Sequence, residues 1–296
     1  MHLAEAPVVI AARRTPIGTR GRALAGLHVH ELAAPVLRAA LDDAETATGT
    51  PVEIADVLLG NCMGPGGNPA RLAALAAGLD PAIPGGTVDR QCGSGLAAIL
   101  DAAAAIRAGD GRARLAGGAE SASTAPVRSI DGVPYDRAPF APAGFPDPDM
   151  VRAAEDLAAL DGIERSRLDA QAARSHARAR AAYAEGRFAD ELVPLAGLDH
   201  DDAVGGAERV LPRLPALFPG GALTAGTSTR IGDGAAAVVV APAGTARGLA
   251  LRAGAVVGGD PALPGLGAAP AILRALSTAG HDVRAIAAFE LVEAFA

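Results

Sequence analysis

Gly86-Thr87-Val88-Asp89-Arg90-Gln91-Cys92-Gly93-Ser94-Gly95-Leu96 is the stretch on which the fold turns. Thr87 and Val88 read as the end of a short buried strand. Leu96, Ile99, Leu100, Ala103 and Ile106 then fall at helical spacing, and Gly109 ends that helix. Cys92 is thereby placed where a strand hands over to a helix. Unpaired N–H groups and the positive end of a helix dipole favour a thiolate at such a position. Gly93 and Gly95 leave room for a substrate carbonyl to approach the sulfur. The competing reading is a small cysteine that fills a tight turn.

Around this stretch the motifs resemble those of the thiolases, the acyl-CoA C-acyltransferases. Arg90-Gln91-Cys92-Gly93-Ser94-Gly95-Leu96 is similar to their nucleophile motif. Val9 to Gly18 resembles their opening strand and turn, and Gly67-Asn68-Pro69-Ala70-Arg71 their subunit-crossing loop. Gly117-Gly118-Ala119-Glu120-Ser121, Thr224-Ala225-Gly226 and Gly232-Asp233-Gly234-Ala235-Ala236 match in the same order. The resemblance covers the whole chain. It implies an α/β, thiolase-like fold: a mixed, mostly parallel sheet covered by helices, an inserted loop domain, and a second repeat that is incomplete.

Composition sets limits of its own. With 296 residues the chain can bury a substantial core, half its residues are hydrophobic, and only 3% are aromatic. Its net charge of −7 argues against nucleic acid or an anionic membrane surface as partner. All 26 basic residues are arginine, which excludes Schiff-base lysine chemistry and a P-loop lysine. Two cysteines, Cys62 and Cys92, make no disulfide framework and suggest a cytoplasmic protein. No run approaches the roughly 18 apolar residues of a membrane span.

Strands are expected at Pro7–Ala12, Ala55–Asn61, Arg112–Ala116 and Ala235–Val240, alternating with helices at Glu31–Ala44 and Pro69–Ala77. The alternation stops between Ser121 and Gly221, where helices are expected at Met150–Leu160 and Arg165–Tyr183. Arg167, Arg174, Arg178 and Arg180 on the latter are either a solvated face or a lure for CoA phosphates. The expected domains are residues 1–120 with 222–248, a loop domain over 121–221, and 249–296 as the start of a second half. Leu273-Arg274-Ala275-Leu276 and Ile286 to Leu291 echo Leu37-Arg38-Ala39-Ala40-Leu41 and Ile54 to Leu59, so a second strand–helix–strand unit is expected.

Through the resemblance, Cys92 is the nucleophile, and Asp149, Met150, Phe218 and Thr229 fall at substrate-binding positions. Asp149 stands where histidine or asparagine is common. Thr227 and Thr229 replace asparagine and serine, and Val292 replaces the asparagine of an oxyanion site, where valine cannot hydrogen-bond. The family's catalytic histidine and second cysteine have no matching motif among these residues, and Cys62 matches no catalytic position. The expectation is therefore an acyltransferase working through acyl-Cys92 with a complementary chain. A non-catalytic thiolase-like subunit and a reduced hydrolase or transacylase remain as alternatives. Acyl-CoA is the expected substrate, with no further cofactor or metal. A homodimer through the first half is the expected assembly.

Overall fold

The computed structural model describes residues 6–135, 137–206 and 209–296, which divide into two compact units. One comprises the chain up to Pro126 with Arg187–Ala203 and Arg230–Arg252; the other comprises Val127–Gly186, Val204–Thr229 and Ala253–Ala296. Against the expected division, residues 121–126, 187–203 and 249–252 go with the first unit, and residues 222–229 and 253–296 go with the helical one.

The first unit is a seven-stranded sheet. Its elements are β1 (Val8–Arg14), β2 (Gly18–Thr19), α1 (Val29–Thr48), β3 (Ile54–Gly60), α2 (Pro69–Ala76), β4 (Gly85–Val88), α3 (Ser94–Arg107) and β5 (Ala113–Ser121). Helix α1 starts with Glu31 accepting from His28 N at 2.8 Å and ends at Gly49 in the left-handed region. In α2, Asn68 caps by accepting from Arg71 N at 3.2 Å, and Pro69 opens the helix where its missing N–H is harmless.

The second unit contributes the hairpin β6 (Arg128–Ile130) and β7 (Val133–Tyr135), then α4 (Met150–Leu160) and α5 (Arg165–Ala184). The chain returns to the sheet as β8 (Gly232–Ala241) and β9 (Leu249–Ala250) and finishes in the second unit with α6 (Ala268–Ala279).

The strand order is β4-β3-β5-β8-β1-β9, with β2 also on β8. β4, β3 and β5 are mutually parallel. β8 runs antiparallel between β5 and β1, which leaves β1 pointing the same way as the first three. The period-2 alternation of the strands sorts the core. Val57, Leu59, Leu115 and Val239 pack beneath α1 and α2, whereas Leu58, Ala116, Val238 and Val240 face α3.

Two expectations are corrected here. Helix α3 forms, and of the expected row Ala103 is buried and Ile99 and Ile106 pack on the core, but the most buried face is Ala97, Ala98, Ala102 and Ala103, and Leu96 is 63% exposed. The close approach is at its first turn, where Gly60 and Gly118 lie against the backbone of Ser94 and Gly95; further along, Ile99 and Ile106 pack with Leu58 and Val238. The strand expected at Ile286–Leu291 is absent: that segment has no ladder partner and stays largely exposed. An apolar run becomes a strand only when a neighbour completes its backbone hydrogen bonds.

Candidate functional site

β4 is an edge strand, partly exposed rather than buried, and the chain leaves it at Val88. Asp89 Oδ1 accepts from Gln91 N at 3.0 Å, and Gln91 takes φ +53°, a left-handed conformation unusual for a residue with a side chain. Ser94 closes the turn. Its Oγ accepts from Arg90 N at 2.8 Å and donates to Gln91 O at 2.5 Å. This strained strand-to-helix corner pushes Cys92 outward, and the thiol is exposed. No hydrogen bond reaches Cys92 Sγ from the described residues. Gly93 is the N-cap of α3 and offers no side-chain acceptor, so first-turn N–H groups lack a side-chain cap.

The seat of this turn is glycine against glycine. An ideal Cβ on Gly60, at the end of β3, would lie 2.4 Å from Gly95 N and 2.4 Å from Ser94 C. On Gly95 it would rest 3.5 Å from Gly118 N of β5, an ordinary contact. Gly60 is therefore the strict position, and Gly95 serves helix–sheet packing, not only access to the sulfur.

Cys62 lies just past β3, half-buried, and its thiol donates to Glu120 Oε2 at 3.2 Å. Burial, and after it the hydrogen bond to Glu120, push this thiol up to about 12. At neutral pH it stays protonated and is a poor nucleophile.

The other sequence-expected residues lie in the second unit. Met150 and Val292 share an apolar cavity of about 260 Å3 with Ala153, Leu157, Leu223 and Phe295. Asp149, Phe218 and Thr229 are not in its lining. Asp149 instead caps α4, accepting from Val151 N at 2.8 Å. Phe218 lies beneath Arg152, whose guanidinium carbon is 5.0 Å from the ring centre. Thr229 N donates to Ala294 O at 2.9 Å while its side chain faces water. Val292 is 95% exposed.

Sequence reading missed Glu155. It sits buried on α4 and accepts from Ala222 N at 2.7 Å and Leu223 N at 3.0 Å, fixing the chain that forms one wall of the cavity. Its only signal is an acid among alanines and leucine on α4. Glu120 was visible as part of a motif, but its partners were not. Asp233, fully buried, accepts from Ser123 N at 2.9 Å and Ser123 Oγ at 2.5 Å, which ties a second motif to the end of β5.

Comparison with known proteins gives a consistent answer. Residues 7–244 match the family model of the thiolase N-terminal domain. A Bacillus subtilis (strain 168) protein provisionally named acetyl-CoA C-acetyltransferase is 40% identical over 302 residues, covering 98% of this chain and 79% of that one. The crystal structure of the Bacillus anthracis acetyl-CoA acetyltransferase superposes with a TM-score of 0.88 at 30% identity, covering 98% of this chain and 80% of that one. Human mitochondrial 3-ketoacyl-CoA thiolase gives a TM-score of 0.86 at 28% identity, covering 99% and 81%.

Proposed function

The chain belongs to the thiolase family, and from that membership we propose that it transfers acyl groups through a thioester on Cys92. Sγ attacks the carbonyl carbon of an acyl-CoA, the bond from that carbon to the CoA sulfur breaks, and the CoA thiolate leaves to take up the thiol's proton. The single observation that carries the reading is the Cys92 corner: an exposed thiol on a left-handed turn at the uncapped start of a 14-residue helix. The corner lies beyond the carboxyl ends of the parallel strands β3, β4 and β5, where open α/β sheets place their ligands. Ser94 N is engaged with Gln91 O, and the Gly95 and Leu96 N–H groups that follow are left for the charge that develops on the carbonyl oxygen. In this reading Asp149, Met150, Phe218 and Thr229 keep the substrate-binding role that their positions in the family imply. The same reading has the protein work in the cytoplasm as a dimer through β4, whose outer edge has no strand partner among the described residues.

A second reading has its own observation. Val292 offers no hydrogen bond, and Cys92 Sγ has no hydrogen-bond partner among the described residues, as a non-catalytic, thiolase-like subunit would allow. Intact mass after incubation with acetyl-CoA or a longer acyl-CoA separates the two. One acyl group on the native protein and none on Cys92→Ser is the expected result. An adduct that survives in Cys92→Ser, or maps to Cys62, rejects the proposal.

A further inference from the structure

Gly117-Gly118-Ala119-Glu120-Ser121 plays no part in the thiol chemistry above, yet its acid is engaged on every side. Glu120 Oε1 accepts from Asn61 Nδ2 at 2.9 Å; Oε2 accepts from Cys62 N at 3.0 Å, Met63 N at 3.0 Å and Cys62 Sγ at 3.2 Å. Asn61 Nδ2 also donates to Ala119 O at 2.9 Å, so both of its amide hydrogens are engaged and the amide orientation is set. All these donors belong to the exit of β3.

That exit is joined to the Cys92 corner twice. Asn61 N donates to Val88 O at 3.1 Å, at the residue where β4 ends and the corner begins. One residue earlier, Gly60 lies against the backbone of Ser94 and Gly95 with no room for a methyl group. A rotation of the β3 exit would therefore move the residues on both sides of Cys92. A carboxylate suits the task because it accepts only: two oxygens offer about four lone-pair sites, and four donors converge here.

We propose that Glu120 is a positioning residue for Cys92. It fixes the β3 exit against which the nucleophile corner is seated, and it engages the Cys62 thiol hydrogen so that Cys92 alone is reactive at this end of the sheet. The inference rests on Cys92 being the nucleophile. Glutamine at 120 keeps one good acceptor but turns an NH2 group toward Asn61 Nδ2, a donor against a donor. Alanine removes the whole cradle.

The test uses Glu120→Ala, Glu120→Gln and, as a control for general loosening, Ile54→Ala, which opens the core at the start of β3. Iodoacetamide labelling at pH 8.5, mapped by peptide mass, reads each thiol, and intact mass reads acylation of Cys92 by acyl-CoA. The expected native pattern is Cys92 labelled and Cys62 silent. Glu120→Ala is expected to label Cys62 about tenfold faster and to acylate Cys92 about tenfold slower, at an unchanged half-saturating acyl-CoA concentration. Glu120→Gln is expected to fall between. Ile54→Ala is expected to leave both readouts at native values. The proposal is overturned if both Glu120 variants keep the native pattern, or if Ile54→Ala reproduces theirs. Should no acyl-CoA acylate the native protein, the proposed function fails, and the iodoacetamide rates at Cys62 and Cys92 decide the positioning role alone.

Discussion

Two stretches of this chain match thiolase motifs, and they have opposite physical standing. The corner from Val88 to Gly95 is held by its own hydrogen bonds and by a glycine seat with no spare volume. Among the described residues, the stretch from Phe289 to Ala296 is held from Glu293 onward, where Glu293 Oε2 accepts from Ser175 Oγ at 2.6 Å. There Thr229 N donates to Ala294 O and Ala296 N donates to Thr227 O, each at 2.9 Å, while Phe295 joins the small core of Ala158, Leu168 and Leu223. Between Ile286 and Leu291 there is no ladder, and Val292 points into water. A turn next to a strand it can lean on is specified locally; a strand is specified by a neighbour.

Glycines test this contrast most sharply. Gly60→Ala forces a Cβ into the backbone of Ser94 and Gly95 and is expected to destabilise by about 3 kcal/mol, with loss of Cys92 reactivity. Gly259→Ala, in open space on the 253–296 segment, is expected to stay within about 0.5 kcal/mol. Urea unfolding of both variants checks the pair, and equal effects would dissolve the contrast.

Glu155 asks whether the second unit has any comparably firm point. Glu155→Ala leaves Ala222 N and Leu223 N unpaired beneath the surface, and about 2 kcal/mol of destabilisation is expected from the same unfolding assay. A negligible loss would mean that water replaces the carboxylate there.

The pH dependence is a smaller effect and belongs to the first region. Cys62 is raised from 9.0 to about 12 in the folded protein, so the folded state holds its proton more tightly than the unfolded chain. The associated stability is fully present below pH 9 and is lost as pH rises toward 12. Melting curves across that window should fall less steeply for Cys62→Ser than for the native protein; parallel curves would contradict the buried, hydrogen-bonded thiol.

The smallest expected effect is at Val292. Because the side chain is solvated, Val292→Asn should change stability by about 0.5 kcal/mol or less. It should not by itself produce steady C-acyl transfer, since groups that act as a unit are strongly non-additive. Turnover appearing in this variant would make residue 292 the limiting defect.

Local signals were legible wherever the physics is local. Apolar spacing gives the helices over 69–77 and 150–160; the caps Asn68 and Asp149 and the stop at Gly49, which act within one turn of chain, enter only with the structure. Helix α1 nevertheless runs from Val29 to Thr48, past both expected ends, since packing on the sheet rewards extra turns. The nucleophile candidate was readable for the same local reason: glycines and a cysteine between a strand and a helix describe a corner before anything is folded.

What the residues alone determined is the alternation of strands and helices, the corner at Cys92 and the family. What only the tertiary structure decided is which apolar face is buried, which strand exists and which acid holds what. Helix α3 buries Ala97 and Ala98 at its start because its distance there to β3 and β5 is set by Gly60 and Gly118, which lie far from it in sequence. Ile286–Leu291 echoes the apolar pattern of Ile54–Leu59 but lacks its neighbours, and backbone N–H and C=O groups choose a strand only when a partner strand answers them. Glu155 looks like any other acid in the chain and Glu120 shows only as a motif member; the donors that give both their roles lie 58 and 67 residues away and meet them only after the chain has packed.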